Sequence, residues 1–325
     1  MSNVWRRVCR SIRSSKFQVV SIIIICFVIL LYTTNDSPTE TSEDLRIKIN
    51  KRQQQNQQLF TRSKTTKNNI TSNAKSINPY PFRVVIAPKP CTNEDVVFIV
   101  HSAVQYFDRR MLMRYTWLNK NNLQKTLALK VKIVFVTGMT NNTNVLTKLS
   151  YEQEFYQDIL QSDFTDAYLN NTYKAISFLR WVSSKQGCPN ASLIVKVDDD
   201  ALMHSVQLPR FNETVHQILN KHRENVYMGK LISTHVNRDN SSKWFVSYEL
   251  WPYKRYPIWF QGLAYMMTPK LAAKLPSLAL NTAYMFTDDV YVGVLVSKIK
   301  DVDLIIDNSI VLSQGWCSVL PRAQY

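Results

Sequence analysis

The run Leu193-Ile194-Val195-Lys196-Val197, followed at once by Asp198-Asp199-Asp200, constrains this chain more than any other stretch. Five mostly apolar, largely β-branched residues suit a strand buried on both faces, as in the parallel sheets of α/β proteins. Three carboxylates then stand at its carboxyl end, the side of an open parallel sheet on which ligands bind. Adjacent like charges are costly unless a cation compensates them. Hard divalent ions favour oxygen ligands and commonly bridge one or two carboxylates to a substrate's phosphates. The run points to a metal–diphosphate site, with a solvated acidic turn as the plain alternative.

The surrounding pattern alternates between strands and helices, which argues for a parallel α/β sheet flanked by helices. Strands are expected at 96–100, 131–136 and 192–197, and helices at 108–118, 145–160 and 168–181. The helix at 108–118 should carry Met111, Tyr115 and Leu118 on one side. Beyond Asp200 the order is less regular. Strands are expected at 226–230, 243–248 and 262–268, and a short helix at 269–275 with Pro269 in its first turn. A last helix at 288–299 opens on Asp288 and Asp289, which suit the positive end of a helix dipole.

The net charge of +16 would suit a nucleic-acid partner if it lay on the folded part. It does not: residues 1–90 hold 15 Lys/Arg against 4 Asp/Glu, whereas residues 91–325 hold 25 against 20. With no zinc-finger spacing and no RNA-binding signature, the sequence argues against nucleic-acid binding. The run from Phe17 to Tyr32 is almost unbroken in its apolarity and is preceded by Arg6, Arg7, Arg10, Arg13 and Lys16. It reads as a single-pass signal anchor with the basic side cytoplasmic. The expected organisation is a cytoplasmic tail at 1–16, a transmembrane anchor at 17–32, a flexible luminal stem at 33–90 and a catalytic domain at 91–325. The polar, Gln/Asn-rich composition of the stem cannot bury enough apolar surface to order it. Pro79, Pro81, Pro88 and Pro90 mark the approach to the folded domain.

A luminal body agrees with Asn-x-Ser/Thr acceptors at Asn69, Asn141, Asn170, Asn190, Asn212 and Asn240. Cysteines in that compartment form disulfides. Cys91 and Cys188 each precede an expected strand, so parallel neighbours would bring both to the amino-terminal edge of the sheet. A Cys91–Cys188 bridge is expected, with Cys317 free.

Six motifs occur in an order that resembles the β-1,3-galactosyltransferases of glycosyltransferase family 31. They are Arg110-(x3)-Arg114-Tyr115-Thr116-Trp117; Lys132 to Gly138; Glu154 to Leu160 continued by Asp163 to Asn170 and Lys174; Lys196 to Asp200; Gly262-Leu263-Ala264-Tyr265 after Lys243-Trp244 and Tyr256-Pro257; and Asp288-Asp289-Val290-Tyr291-Val292-Gly293. There are departures. Asp288 stands where the family usually has Glu, Leu263 and Ala264 replace small glycines, and no histidine follows His235.

The resemblance implies a GT-A-like fold and an inverting transfer of galactose from UDP-galactose to a glycan acceptor on protein or lipid, in β1-3 linkage. It implies Mn²⁺ or another divalent cation as cofactor, and a Golgi membrane location of type II topology. It makes Asp289 the catalytic base, Asp200 a direct metal ligand and Asp198 a second carboxylate on metal or donor. Donor contacts fall to Arg110, Arg114, Asp198, Asp199, Trp244 and Gly262. Arg110 and Arg114, four apart on a helix, could clamp pyrophosphate or instead pair with an acid such as Asp108. UDP-N-acetylglucosamine or UDP-N-acetylgalactosamine as donor, and an inactive glycan-binding relative, are the alternatives.

Overall fold

A computed structural model describes residues 77–78, 80–203, 207–221, 223–308 and 313–314. Its frame is an eight-stranded mixed sheet. In chain order the elements are β1 (Val84–Ile86), β2 (Val96–His101), α1 (Phe107–Tyr115), α2 (Lys120–Leu127), β3 (Val131–Met139), α3 (Thr143–Tyr156) and β4 (Ile159–Thr165). After a 3-10 turn at Tyr168–Asn170 come α4 (Asn171–Val182), β5 (Leu193–Asp198), β6 (Ala201–Leu202), α5 (Leu208–Asn220), β7 (Val226–Gly229) and β8 (Ala264–Met267). The remaining elements are α6 (Pro269–Ala272), α7 (Leu275–Ala279), α8 (Asp288–Val296), β9 (Asp303–Ile306) and β10 (Ser313–Gln314).

The sheet order is β1-β4-β3-β2-β5-β8-β7-β9. Strands β4, β3, β2 and β5 are parallel; β8 runs antiparallel to both β5 and β7. The centre is the least exposed part: every residue of β2 is buried, as are all of β5 but its last. Their uninterrupted Val/Ile/Phe content is what a strand covered on both faces requires. Helix α4 lies against β2, β3 and β4 and buries Ala175, Ile176, Phe178, Leu179 and Trp181.

Register is what builds the site. His101 pairs with Val136 on one side and with Asp198 on the other, so β2 and β5 end together while β3 runs on to Met139. Cys91 and Cys188 are disulfide-bonded with Cα atoms 4.7 Å apart, and Cys91 N–H donates to the Gly187 carbonyl at 2.9 Å. The bridge ties the segments leading into β2 and β5, at the edge away from the acids. Cys317 and the apolar run 17–32 lie outside the described residues. No helix among the described residues is long and apolar enough to cross a membrane.

Several local expectations are corrected. The helix expected to reach Leu160 stops at Tyr156, where Gln157 takes a left-handed conformation, and Ile159–Leu160 open strand β4. Residues 243–248 are not a strand. The preceding Asn/Asp/Ser run forms turns, with Asp239 Oδ1 accepting from Ser241 N–H at 2.9 Å and Asn237 Oδ1 from Asp239 N–H at 2.9 Å. In α1 the buried residues are Arg110, Met113 and Arg114, whereas Tyr115 is exposed.

The stem expected to run to residue 90 ends earlier. Strand β1 pairs with β4, Asn78 N–H donates to the Leu280 carbonyl at 3.0 Å, and the buried Tyr80 hydroxyl meets that of Tyr291 at 2.5 Å. Helices α2 and α5 and strand β9 were not anticipated.

Candidate active site

The first half of the site is the end of β5. Side chains two apart on a strand share a face, so Lys196 and Asp198 point the same way, and Lys196 Nζ donates to Asp198 Oδ1 at 2.7 Å. Asp199 turns back into the fold. Its N–H donates to the His101 carbonyl at 3.1 Å, Oδ2 accepts from Ser102 Oγ at 2.9 Å and Oδ1 from Arg109 Nη1 at 2.8 Å. Asp199, expected to touch the donor, thus has both oxygens occupied and pins the turn instead.

Asp200 is half-buried, and among the described residues no side chain donates to its carboxylate. Trp117 Nε1 donates to the Ala201 carbonyl at 2.9 Å, bracing the chain just beyond. Burial raises the Asp200 pKa and the nearby Asp199 charge adds to it. Burial pushes Asp198 up to about 7, with Asp288 and Asp200 reinforcing it and Lys196 opposing it.

The second half is the start of α8. Asp288 and Asp289 occupy its first turn, where exposed helical N–H groups favour negative charge. Asp288 Oδ2 lies 3.2 Å from His101 Nδ1 and 3.3 Å from Lys196 Nζ. Burial works against ionisation there, but Lys196 and His101 hold this carboxyl below the usual range. Asp289 Oδ2 accepts from Gly262 N–H at 2.9 Å and Oδ1 from Val290 N–H at 2.8 Å. Burial, then the Asp288 charge, raises Asp289 to about 6. Glycine at 262 suits this close contact: a Cβ there would stand 3.2 Å from Asp289 Oδ2 and press it aside by a few tenths of an ångström.

Asp198, Gly262, Asp288 and Asp289 therefore form one cluster around a single buried ammonium. Among the described residues no three His, Cys, Asp or Glu side chains gather to hold a metal unaided. Asp200 and the free Oδ2 of Asp198 suit an ion shared with a diphosphate, which needs only one or two protein carboxylates.

The arginine pair is elsewhere in its chemistry. Arg110 Nε and Nη2 donate to Glu152 at 2.8 and 2.7 Å, and its other donors go to Ser102 Oγ and to the carbonyls of Ala103 and Val104. All five guanidinium donors are taken. Arg114 grips Asp158 through Nε and Nη2 at 2.9 and 2.7 Å, lies 2.7 Å from Glu152 through Nη1, and stacks between Phe135 and Tyr156. The expected pyrophosphate clamp is corrected: both arginines are sealed into an internal ion-pair network, with Glu152 and Asp158 rather than Asp108 as partners.

Lys174 is likewise absorbed by Asp166 at 2.8 Å, whose other oxygen accepts from Val104 and Gly138 N–H, each at 2.9 Å.

Trp244 is half exposed. It carries Lys243 Nζ 4.4 Å over its ring, and the same ammonium lies 5.7 Å from the Tyr168 ring. Tyr168 in turn feels the charges of Asp289, Asp288 and Asp198, which with burial raise its pKa. The pair borders the acid cluster.

Of the glycan acceptors, Asn141, Asn190 and Asn240 are exposed, and Asn69 lies outside the described residues. Asn170 donates its amide to the Thr165 carbonyl at 2.8 Å, while Asn212 sits inside α5 with a buried Oδ1. Both are half-buried.

Sequence reasoning missed Arg109, His101, Ser102 and Glu152. Glu152 left a trace: it stands three residues after buried Leu149 on the inner face of α3, and a charge at an apolar phase signals a buried partner.

Fold and site define an α/β protein with an acidic crevice at the carboxyl ends of its central strands. The family model of galactosyltransferases matches residues 108–306, more than half of the chain, and the chain belongs to that family. The human lactosylceramide 1,3-N-acetyl-beta-D-glucosaminyltransferase is 32% identical over 217 residues, covering 64% of this chain and 56% of that protein. Mouse beta-1,3-galactosyltransferase 1 is 28% identical over 231 residues, covering 69% of this chain and 68% of that protein. Mouse beta-1,3-galactosyltransferase 2 is 29% identical over 234 residues, covering 69% and 52%. The match spans 56%, 60% and 62% of the length of the lactosylceramide enzymes of human, rat and mouse.

Proposed function

We propose that this protein is an inverting β1,3-glycosyltransferase of GT-A-like fold that moves a sugar from a UDP donor to a hydroxyl of a glycan acceptor. The observation that carries the reading is the single cluster joining Asp198 to Asp289 through Lys196 and Gly262. It sets carboxylates suited to a cation-bound diphosphate beside a carboxylate suited to take a proton.

Inversion needs a base on the face of the sugar opposite the leaving group, as in inverting glycosidases. Asp289 has that chemistry. Raised to about 6, it is ionised at neutral pH yet basic enough to accept a proton as the acceptor hydroxyl attacks. Asp200 and Asp198 would hold Mn²⁺ or a similar cation against the diphosphate. When bound, such an ion neutralises charge on the departing diphosphate, worth several kcal/mol. Gly262 leaves room beside Asp289. Trp244 and Tyr168 offer ring faces at the rim, which suit the apolar side of a pyranose.

Galactose is the first reading of the donor. N-acetylglucosamine is the second, favoured by the relatives named for its transfer to lactosylceramide. With 17–32 as signal anchor, the domain would work in the Golgi lumen on glycoprotein or glycolipid. The test is UDP release from UDP-galactose, UDP-N-acetylglucosamine and UDP-N-acetylgalactosamine, with acceptor, with and without Mn²⁺. Release from one donor, dependent on the ion, is expected; release from none sinks the reading and favours a glycan-binding protein.

A further inference from the structure

Among the described residues Lys196 is the one cation that pairs with both Asp198 and Asp288, and it is the charged residue inside the apolar run of β5. It is fully buried in a strand paired on both sides. An ammonium left alone in such a place would cost several kcal/mol even after relaxation, so its partners define its purpose. There are three. Nζ donates to Asp198 Oδ1 at 2.7 Å and to the Gly262 carbonyl at 2.7 Å, and lies 3.3 Å from Asp288 Oδ2. Asp288 is steadied from its other side by His101 Nδ1 at 3.2 Å, on the neighbouring strand β2. Gly262 is thus gripped at both ends, its carbonyl by Lys196 and its N–H by Asp289.

We propose that Lys196, held by Asp288 and His101, is a positioning unit that fixes the Gly262 turn and, through that turn's N–H, the carboxylate of Asp289. Neither Lys196 nor Asp288 has to touch substrate for this. Lys196 spans from the donor carboxylate to the turn that seats the base, so the spacing between the two halves of the site is set inside the fold. Asp288 is the counter-charge that keeps Lys196 from being drawn wholly to Asp198. The proposal rests on the reading of Asp289 as base.

Lys196→Met strands two buried acids and can fail to fold, so the informative variants are at Asp288. Asp288→Asn keeps the shape but removes the charge; Asp288→Glu keeps the charge. The groups acting on Asp289 are Asp288 on its own helix, Lys196 on β5, Tyr227 on β7, Tyr265 on β8, Tyr168 in the 3-10 turn and Tyr256 in the loop before Gly262.

The full chain is assayed with the donor that supports UDP release. For Asp288→Asn, kcat is expected to fall about 10- to 100-fold, since small misplacements of a reacting group cost that much. The donor KM should stay within about threefold of the original, and Asp288→Glu should recover kcat to within about threefold. The acidic limb of the kcat/KM profile should move to lower pH, because Asp289 loses the like charge that raises it while Lys196 still lowers it. A merely structural role lowers the melting temperature and the amount of active protein but leaves the kcat of each folded molecule unchanged; the limb reports the lost charge in either case.

An Asp288→Asn protein whose kcat per folded molecule is unchanged, or one whose loss lies in donor KM, overturns the proposal while leaving the base assignment standing. So does an Asp288→Glu protein no better than Asp288→Asn. An unaltered protein that transfers from no donor overturns both.

Discussion

Two buried charge clusters flank the end of the sheet, and their difference is instructive. Around Glu152, the guanidiniums of Arg110 and Arg114 meet two carboxylates, with ring faces and carbonyls taking up the rest. Around Lys196, several carboxylates crowd one ammonium, and among the described residues no side chain donates to Asp200 or to Asp198 Oδ2. Both clusters fall in the motifs that resemble a glycosyltransferase, and both look functional in sequence. The first is saturated, so it can only hold the fold together. The second is left anionic, so it has binding capacity to offer. What separates scaffold from site is charge balance: two carboxylates meet two guanidiniums in the first, whereas carboxylates outnumber the ammonium in the second.

Mutations should break the two clusters in opposite ways. Asp289→Asn removes the base and should cut transfer by about 1,000-fold or more, with melting temperature and nucleotide affinity unchanged; comparable turnover by the variant would refute its role. Glu152→Gln takes its carboxylate from Arg110 and one of two from Arg114, and should destabilise by about 3–5 kcal/mol, read by denaturant unfolding. The fraction that folds should keep its donor KM. A fully stable Glu152→Gln protein with a raised KM would return the arginines to the donor site.

Asp200→Asn should weaken Mn²⁺-dependent UDP binding at least about tenfold, measured by calorimetry, with little change in stability. Without substitution, kcat/KM should fall about tenfold per pH unit once pH drops below about 6, as Asp289 takes up its proton. An acidic limb well below pH 5 would mean that another group is titrating. The smallest effect separates exposed from embedded acceptors. Asn190→Gln should remove one glycan's worth of mass on expression in a secretory host, whereas Asn212→Gln should leave the mass unchanged, because its amide oxygen is buried in α5.

Much of this was legible because it is written in local pattern. The apolar runs of β2, β3 and β5 show as strands, and the paired acids opening α8 show as a helix start. The errors occur where a local signal competes with a distant one. Ile159 and Leu160 continue a helical periodicity, yet Gln157 turns left-handed and β4 pairs with β3 instead. Residues 243–248 alternate like a strand, yet the side chains just before them bind their own backbone. Tyr80 belongs to a proline-bearing, polar stretch, and partners far along the chain draw it into the core: the Tyr291 hydroxyl, the Tyr173 ring and the Arg180 guanidinium on its carbonyl.

By itself the chain's order of residues determined that an α/β sheet would form and that three acids would stand at the end of its central strand, because β-branched apolar runs bury themselves wherever they occur. Tertiary structure alone decided which charges were available. Arg110 was claimed by Glu152, 42 positions later, and Lys196 by Asp288 in a helix from the far end of the chain. An ion pair out of water is decided by geometry to within an ångström or so, and spacing along a sequence carries no such distance.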